Sequence, residues 1–201
     1  MFKRLLAHPG VEEVCELRSS FGFMAFHGGS LEEQTDVIAR LAAEKSESSY
    51  YGVHQPPDLK WHIDSHKIDP TDSPALASFI AHVDVVVTIH GYGRKGLFTT
   101  LLLGGKNRDL ASHVALHLRS WLPEYDIEHD LGRIPNGLAG LHPLNPVNLP
   151  LGGGVQIELP PRVRGRSPYW SNWDGSLLTP HTQALVDGLA AAASSWPTLI
   201  Q

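Results

Sequence analysis

The chain has 201 residues, 42% of them hydrophobic, a single cysteine and a formal net charge of -5. That content suits one sizeable core and a single domain over residues 1-201, the charge argues against nucleic acid as a partner, and Cys15 alone excludes cysteine-rich metal sites, leaving His and carboxylates as metal ligands. No apolar run reaches the length of a membrane span, and Lys3 and Arg4 are followed by only a few apolar residues before His8-Pro9-Gly10, so no signal peptide is visible. A cytoplasmic monomer is expected, for which cell lysis is one route to an external substrate.

Phe21 to Phe26 is an aromatic and apolar run that reads as a buried strand near 22-26. It delivers His27 at its end, where Gly28-Gly29 lets the backbone turn sharply. Ser30 and Glu33 form a capping box, predicting a helix over 31-45 that puts Glu32 in its first turn, close to His27. Short strands are expected near 50-54 and 60-64, too close for a helical crossover, so part of the sheet must be antiparallel. A helix near 73-82 leads into 84-90, the strongest strand in the sequence, which again ends in a His-Gly pair, His90-Gly91. Strands near 97-103, 125-130 and 154-159 and helices near 107-121 and 178-195 complete an α/β reading: a mixed open sheet with helices on both faces. The segments 131-153 and 160-177, rich in Gly, Pro and Asn or Arg and Trp, are long enough loops to carry function.

In open α/β sheets ligands bind beyond the carboxyl ends of the strands, so His27, Glu32 and His90 are expected to converge there. Two His and one Glu with an open fourth position is a catalytic zinc set. The plainer alternative is a strand end plus a first-turn acid that suits the helix dipole. In Val155-Gln156-Ile157-Glu158-Leu159, alternation puts Val155, Ile157 and Leu159 on one face and Gln156 and Glu158 on the other. A buried Glu158 needs a partner, which a metal site supplies; otherwise it is a solvent-facing edge residue. Gly91-Tyr92-Gly93-Arg94-Lys95-Gly96 formally matches a dinucleotide fingerprint, but the following Leu97 to Leu103 reads as strand where that motif requires a helix. There is no G-x-S-x-G elbow. His62, at the end of a short strand, has the alternatives of a supporting or spare ligand and a structural residue; the structural role is expected, since His27, Glu32 and His90 already complete the set.

Taken in order, Phe26-His27-Gly28-Gly29 with Glu32, His62-Ile63-Asp64-Ser65, His90-Gly91, Gly104-Gly105 with Asn107, and Gly154-Val155-Gln156-Ile157-Glu158 resemble the zinc-dependent poly-γ-glutamate hydrolases of phages and bacteria over most of the chain. The resemblance implies a carboxypeptidase-like fold, Zn held by His27, Glu32 and His90, and Glu158 as general base for a zinc-activated water that cuts γ-glutamyl amide bonds. The His27-x4-Glu32 spacing departs from the H-x-x-E of ordinary carboxypeptidases. The implied partner is an anionic γ-linked glutamate polymer, and Arg94, Lys106, Asn107, Arg108 and Arg164, which follow strand ends, are expected to bind it; Asn107 has the alternative of capping a helix. Two readings compete: a zinc peptidase or deacylase acting on cell-wall peptides or acyl-amino acids, and a non-catalytic metal-stabilised binding module, the latter favoured if four protein ligands fill the site.

Overall fold

A computed structural model describes residues 1–174 and 178–197. Seven strands form one sheet: β1 (Glu12–Glu16), β2 (Phe21–Gly29), β3 (Ser49–Gln55), β4 (Val85–Gly91), β5 (Thr100–Leu103), β6 (Asp126–Glu128) and β7 (Gly154–Leu159), in the order β1-β3-β2-β4-β7-β5-β6. The helices are α1 (Phe2–Leu6), α2 (Thr35–Lys45), α3 (Pro74–His82), α4 (Arg108–Trp121) and α5 (Pro180–Ser195). Strands β3, β2, β4 and β7 are parallel in sequence across the middle of the sheet, while β1 pairs antiparallel with β3 and β5 antiparallel with β7. The sheet is mixed and open, with helices on both faces.

Side-chain alternation along the strands builds two cores. Phe23, Ala25, Val87, Ile89, Val155 and Ile157 pack on one face under Ile38 and Ala42 of α2, Val114 and Leu118 of α4, and Leu185 and Leu189 of α5. Met24, Phe26 and Val86 point to the other face, under Phe2 and Leu5 of α1 and Leu76 and Phe79 of α3. Strands β2, β4 and β7 are covered on both sides, which is why they read as continuous apolar runs. Polar residues on such strands are conspicuous, and His27, His90, Gln156 and Glu158 are all buried.

Three expected elements differ. Residues 60-64 are extended but join no ladder; the Gln55 side chain holds them, its Oε1 accepting from the Trp61 N–H at 2.8 Å and its Nε2 donating to the Trp61 carbonyl at 3.0 Å. The antiparallel part of the sheet instead comes from β1, a short charged edge strand, and from β5. Helix α2 begins at Thr35, not at residue 31, because the Ser30 hydroxyl donates to the Leu59 carbonyl and caps nothing, and Gln34 at φ 75° breaks the chain direction before the helix. The predicted 178-195 helix starts at Pro180, with Thr179 as its cap; the rest of the predicted loop 160-177 includes residues 175-177, outside the described residues.

Candidate active site

Strand β2 ends in a tight loop that returns to its own terminus: the Glu32 N–H donates to the His27 carbonyl at 2.9 Å. Glycine is required twice in that loop. A Cβ on Gly28 would lie 2.5 Å from Asp36 Cβ, and Gly29 combines φ +69° with a backbone approach of 2.2 Å to the Gln55 carbonyl oxygen. Glu32 therefore sits in a turn ahead of α2, and its carboxylate bridges two strand ends. Oε1 is 3.0 Å from His27 Nδ1, and Oε2 is 3.2 Å from His90 Nδ1 while accepting the Gly91 N–H at 2.9 Å.

The protonation of His27 follows from its other nitrogen. Nε2 lies 2.8 Å from the Ile63 carbonyl, which can only accept, so Nε2 carries the proton and the lone pair of Nδ1 faces Glu32. Two acceptors 3.0 Å apart require a cation or a proton between them. On the other side of Glu32, His90 Nε2 is buried without a hydrogen-bond partner among the described residues. A nitrogen and oxygen donor set of this kind, with the second imidazole nitrogen anchored to a carbonyl, suits zinc.

His62 enters the site against expectation. Donor atoms of His27, Glu32 and His62 lie within 4.8 Å of one another, and the His27 and His62 rings are 4.8 Å apart. Because 60-64 is not a sheet strand, the exposed His62 ring lies on the wall of the cleft and not in a core. The one signal for this in the sequence is the His62-Ile63-Asp64-Ser65 run, which carries part of the family resemblance.

Glu158 stands directly opposite His90 in the β4–β7 ladder. Burial pushes its carboxyl up to about 7, an effect that His90 partly opposes and Glu32 reinforces. Burial acts in the same direction on Glu32, but there the charges and hydrogen bonds of His90 and His27 outweigh it and hold the carboxyl far below the usual range. For His90 burial is in turn outweighed by Glu32, and its pKa rises. Glu158 is oriented by Gln156, whose Nε2 donates to Oε1 at 2.9 Å, and Gln156 is fixed by Asn145, whose Nδ2 donates to its Oε1 at 2.8 Å. These groups form one end of a cavity of about 530 Å³ that extends past Ser65, His66, Asn136 and His142.

The five residues expected to bind a polyanion do not line that cavity. Lys106, Asn107 and Arg108 follow β5, and because β5 runs antiparallel to β7 it carries them toward Gly154, the opposite end of β7 from Glu158. There Asn107 caps α4 by accepting the Leu110 N–H at 2.8 Å, the Lys106 N–H donates to Asn148 Oδ1 at 3.0 Å, and Arg108 donates to the carbonyls of Gly105, Leu103 and His129. Arg94 is exposed in the loop after β4. Arg164 is nearest to the chemistry, but its donors are committed to the backbone: it donates to the carbonyls of Leu159 at 3.2 Å and Glu33 at 2.7 Å and lies where a Gly91 Cβ would come within 2.7 Å of Cζ. It ties the Glu32 loop to the ends of β4 and β7 and places a cation behind Glu32 and Glu158.

A cleft at the ends of parallel strands, holding paired imidazoles and two carboxylates, brings together the groups that hydrolytic chemistry needs. The poly-gamma-glutamate hydrolase family model matches residues 4–170, and the chain belongs to that family. Among solved structures, a bacteriophage poly-gamma-glutamate hydrolase superposes with a TM-score of 0.75 at 20% identity, covering 90% of this chain and 87% of that one. A zinc-free apo form of a protein called YNDL gives 0.71 at 19%, covering 92% and 90%. A gene product of Agrobacterium tumefaciens gives 0.54 at 16%, covering 92% and 95%. At these identities the likeness concerns the fold. No curated protein matches the sequence significantly.

Proposed function

We propose that this chain hydrolyses the γ-glutamyl amide bonds of poly-γ-glutamate as a zinc enzyme, with His27, Glu32 and His90 holding the metal and Glu158 as general base. The observation that carries the reading is the Glu32 carboxylate shared between His27 Nδ1 and His90 Nδ1, with the buried carboxyl of Glu158 directly opposite His90 in the ladder. A bound zinc supplies a Lewis acid for the amide carbonyl and acidifies water to a pKa of about 7. Glu158, held by Gln156, accepts the proton of the attacking water and returns it to the leaving amine; a carboxyl near 7 suits both roles at neutral pH. Arg164 keeps the Glu32 loop seated on Gly91 and Leu159 while both carboxylates are charged.

The test is metal analysis together with polymer degradation, followed by viscosity or chain length. The wild type is expected to carry one zinc per chain and to lose activity with a chelator. Glu158→Gln is expected to retain fold and zinc and to lose about 10²- to 10⁴-fold in kcat; full activity in that variant would sink the assignment of the base. His62 favours one second reading, a closed four-ligand structural site in a non-catalytic module. His62→Ala separates the two, keeping zinc if His62 only lines the cleft and shedding it if the site is closed.

A further inference from the structure

A γ-linked glutamate chain leaves one carboxylate on every repeat, so a cleft that cuts it must seat at least one anion beside the reacting amide. Yet among the described residues no lysine or arginine lines this cavity. Apart from the residues at its metal-binding end, the groups on its wall that can meet a carboxylate are His66, His142, Ser65 and Asn136. His66 belongs to the one-turn helix Ser65–Lys67, and His142 to the loop between β6 and β7; their rings lie in contact on the cleft wall, 4.5 Å apart and tilted by 35°.

The His142 side of this pair is built, not draped. Asn148 Nδ2 donates to the carbonyls of Gly140 at 2.7 Å and His142 at 3.0 Å, and Asn145, three residues on, is buried and bonded to Gln156. The loop is thereby joined through Gln156 to Glu158, so base and loop keep a fixed relation. The ring itself is oriented: His142 Nδ1 accepts the Leu144 N–H at 3.2 Å, which leaves Nε2 as the protonated nitrogen, a donor whether or not the ring is charged. His66 touches the His142 ring. The neighbouring Asp64 is already paired with Lys67 at 2.6 Å. Two adjacent imidazoles with donors on the cleft wall form a site that gains from an anion placed beside them.

We infer that His66 and His142 form the carboxylate subsite of this cleft, seating the free carboxylate of a γ-linked glutamate residue next to the scissile bond. This rests on the hydrolase reading above, so binding is measured apart from turnover. Full-length Glu158→Gln protein, loaded with zinc, is titrated calorimetrically with a γ-linked glutamate trimer and with the same trimer amidated at its free carboxylates. His66→Gln and His142→Gln are then introduced singly and together; both rings are exposed, and melting curves confirm an unchanged fold. The expected result is a loss of affinity for the anionic trimer of about tenfold or more in the double variant, the scale of one charge-assisted hydrogen bond. Zinc content stays constant and the amidated trimer is bound equally weakly throughout. Unchanged affinity in the double variant overturns the subsite while leaving the hydrolase reading intact, as does an equal loss for both trimers. Failure of the parent protein to bind the anionic trimer overturns both.

Discussion

The two ends of β7 carry similar residues and behave differently. At the Gly154 end, Asn107, Arg108 and Asn148 have found backbone partners: a helix cap, three carbonyls and two more carbonyls. At the Glu158 end, polar atoms face each other with fewer partners than they need. His27 Nδ1 meets a carboxylate oxygen as acceptor to acceptor, His90 Nε2 has none, and Glu158 is buried with one hydrogen bond from Gln156. Polar groups that close on the backbone stabilise the fold; those left wanting a partner are available to a metal or a substrate. An arginine next to an asparagine therefore carries no functional meaning until its donors are accounted for.

The contrast can be broken most directly at His90. His90→Ala is expected to lower zinc affinity by at least ~100-fold, since a ligand matters more than the 10- to 100-fold typical of its supporting partners. Competition with a chromophoric chelator checks this, and zinc affinity equal to wild type would move the metal to His27, Glu32 and His62 alone. Next in size is a pH effect on the metal-free protein. Glu158 has a folded pKa of about 7 against an ordinary 4.5, so the native state holds the proton longer than the unfolded state. Stability from this group is full below about pH 4.5 and declines as pH rises through 7, by roughly 3 kcal/mol in total. Urea melts of wild type and Glu158→Gln at pH 4.5 and pH 8 read it: the difference in stability between the two proteins should change by that amount, and a constant difference would show that burial costs Glu158 nothing. The smallest effect lies at the far end of β7. Arg108→Met is expected to cost about 1–3 kcal/mol of stability, by stranding carbonyls, with kcat/KM per folded molecule unchanged. A raised KM without a stability loss would return Arg108 to the substrate.

Strands β2, β4 and β7 were legible because each is an apolar run terminated by a polar residue, a pattern that survives without any knowledge of neighbours. That regularity placed His27, His90 and Glu158 in one crevice. Strand direction was not legible: Gly104-Gly105-Lys106-Asn107 reads the same whether β5 runs with or against β7, and the direction decides which end of the sheet the basic residues reach. Strand β1 was hidden by its edge position, where Glu12, Glu13 and Glu16 give no apolar signal. The Ser30 capping box misled because its hydroxyl took a tertiary partner, Leu59, that no local pattern reveals. His62 was misplaced for a related reason, an extended segment satisfied by the side chain of Gln55 instead of by a strand.

The ladder position shared by His90 and Glu158 has a bearing on how the molecule comes into being. His27 and Glu32 lie early in the chain, His90 near its middle and Glu158 late, and the pairing of β4 with β7 joins the last two. Before residue 158 has been synthesised and inserted between β4 and β5, the early residues make only part of the cleft. Under the assignment proposed above, catalytic competence is therefore acquired late in synthesis, and a fragment that ends before Glu158 is expected to be inactive.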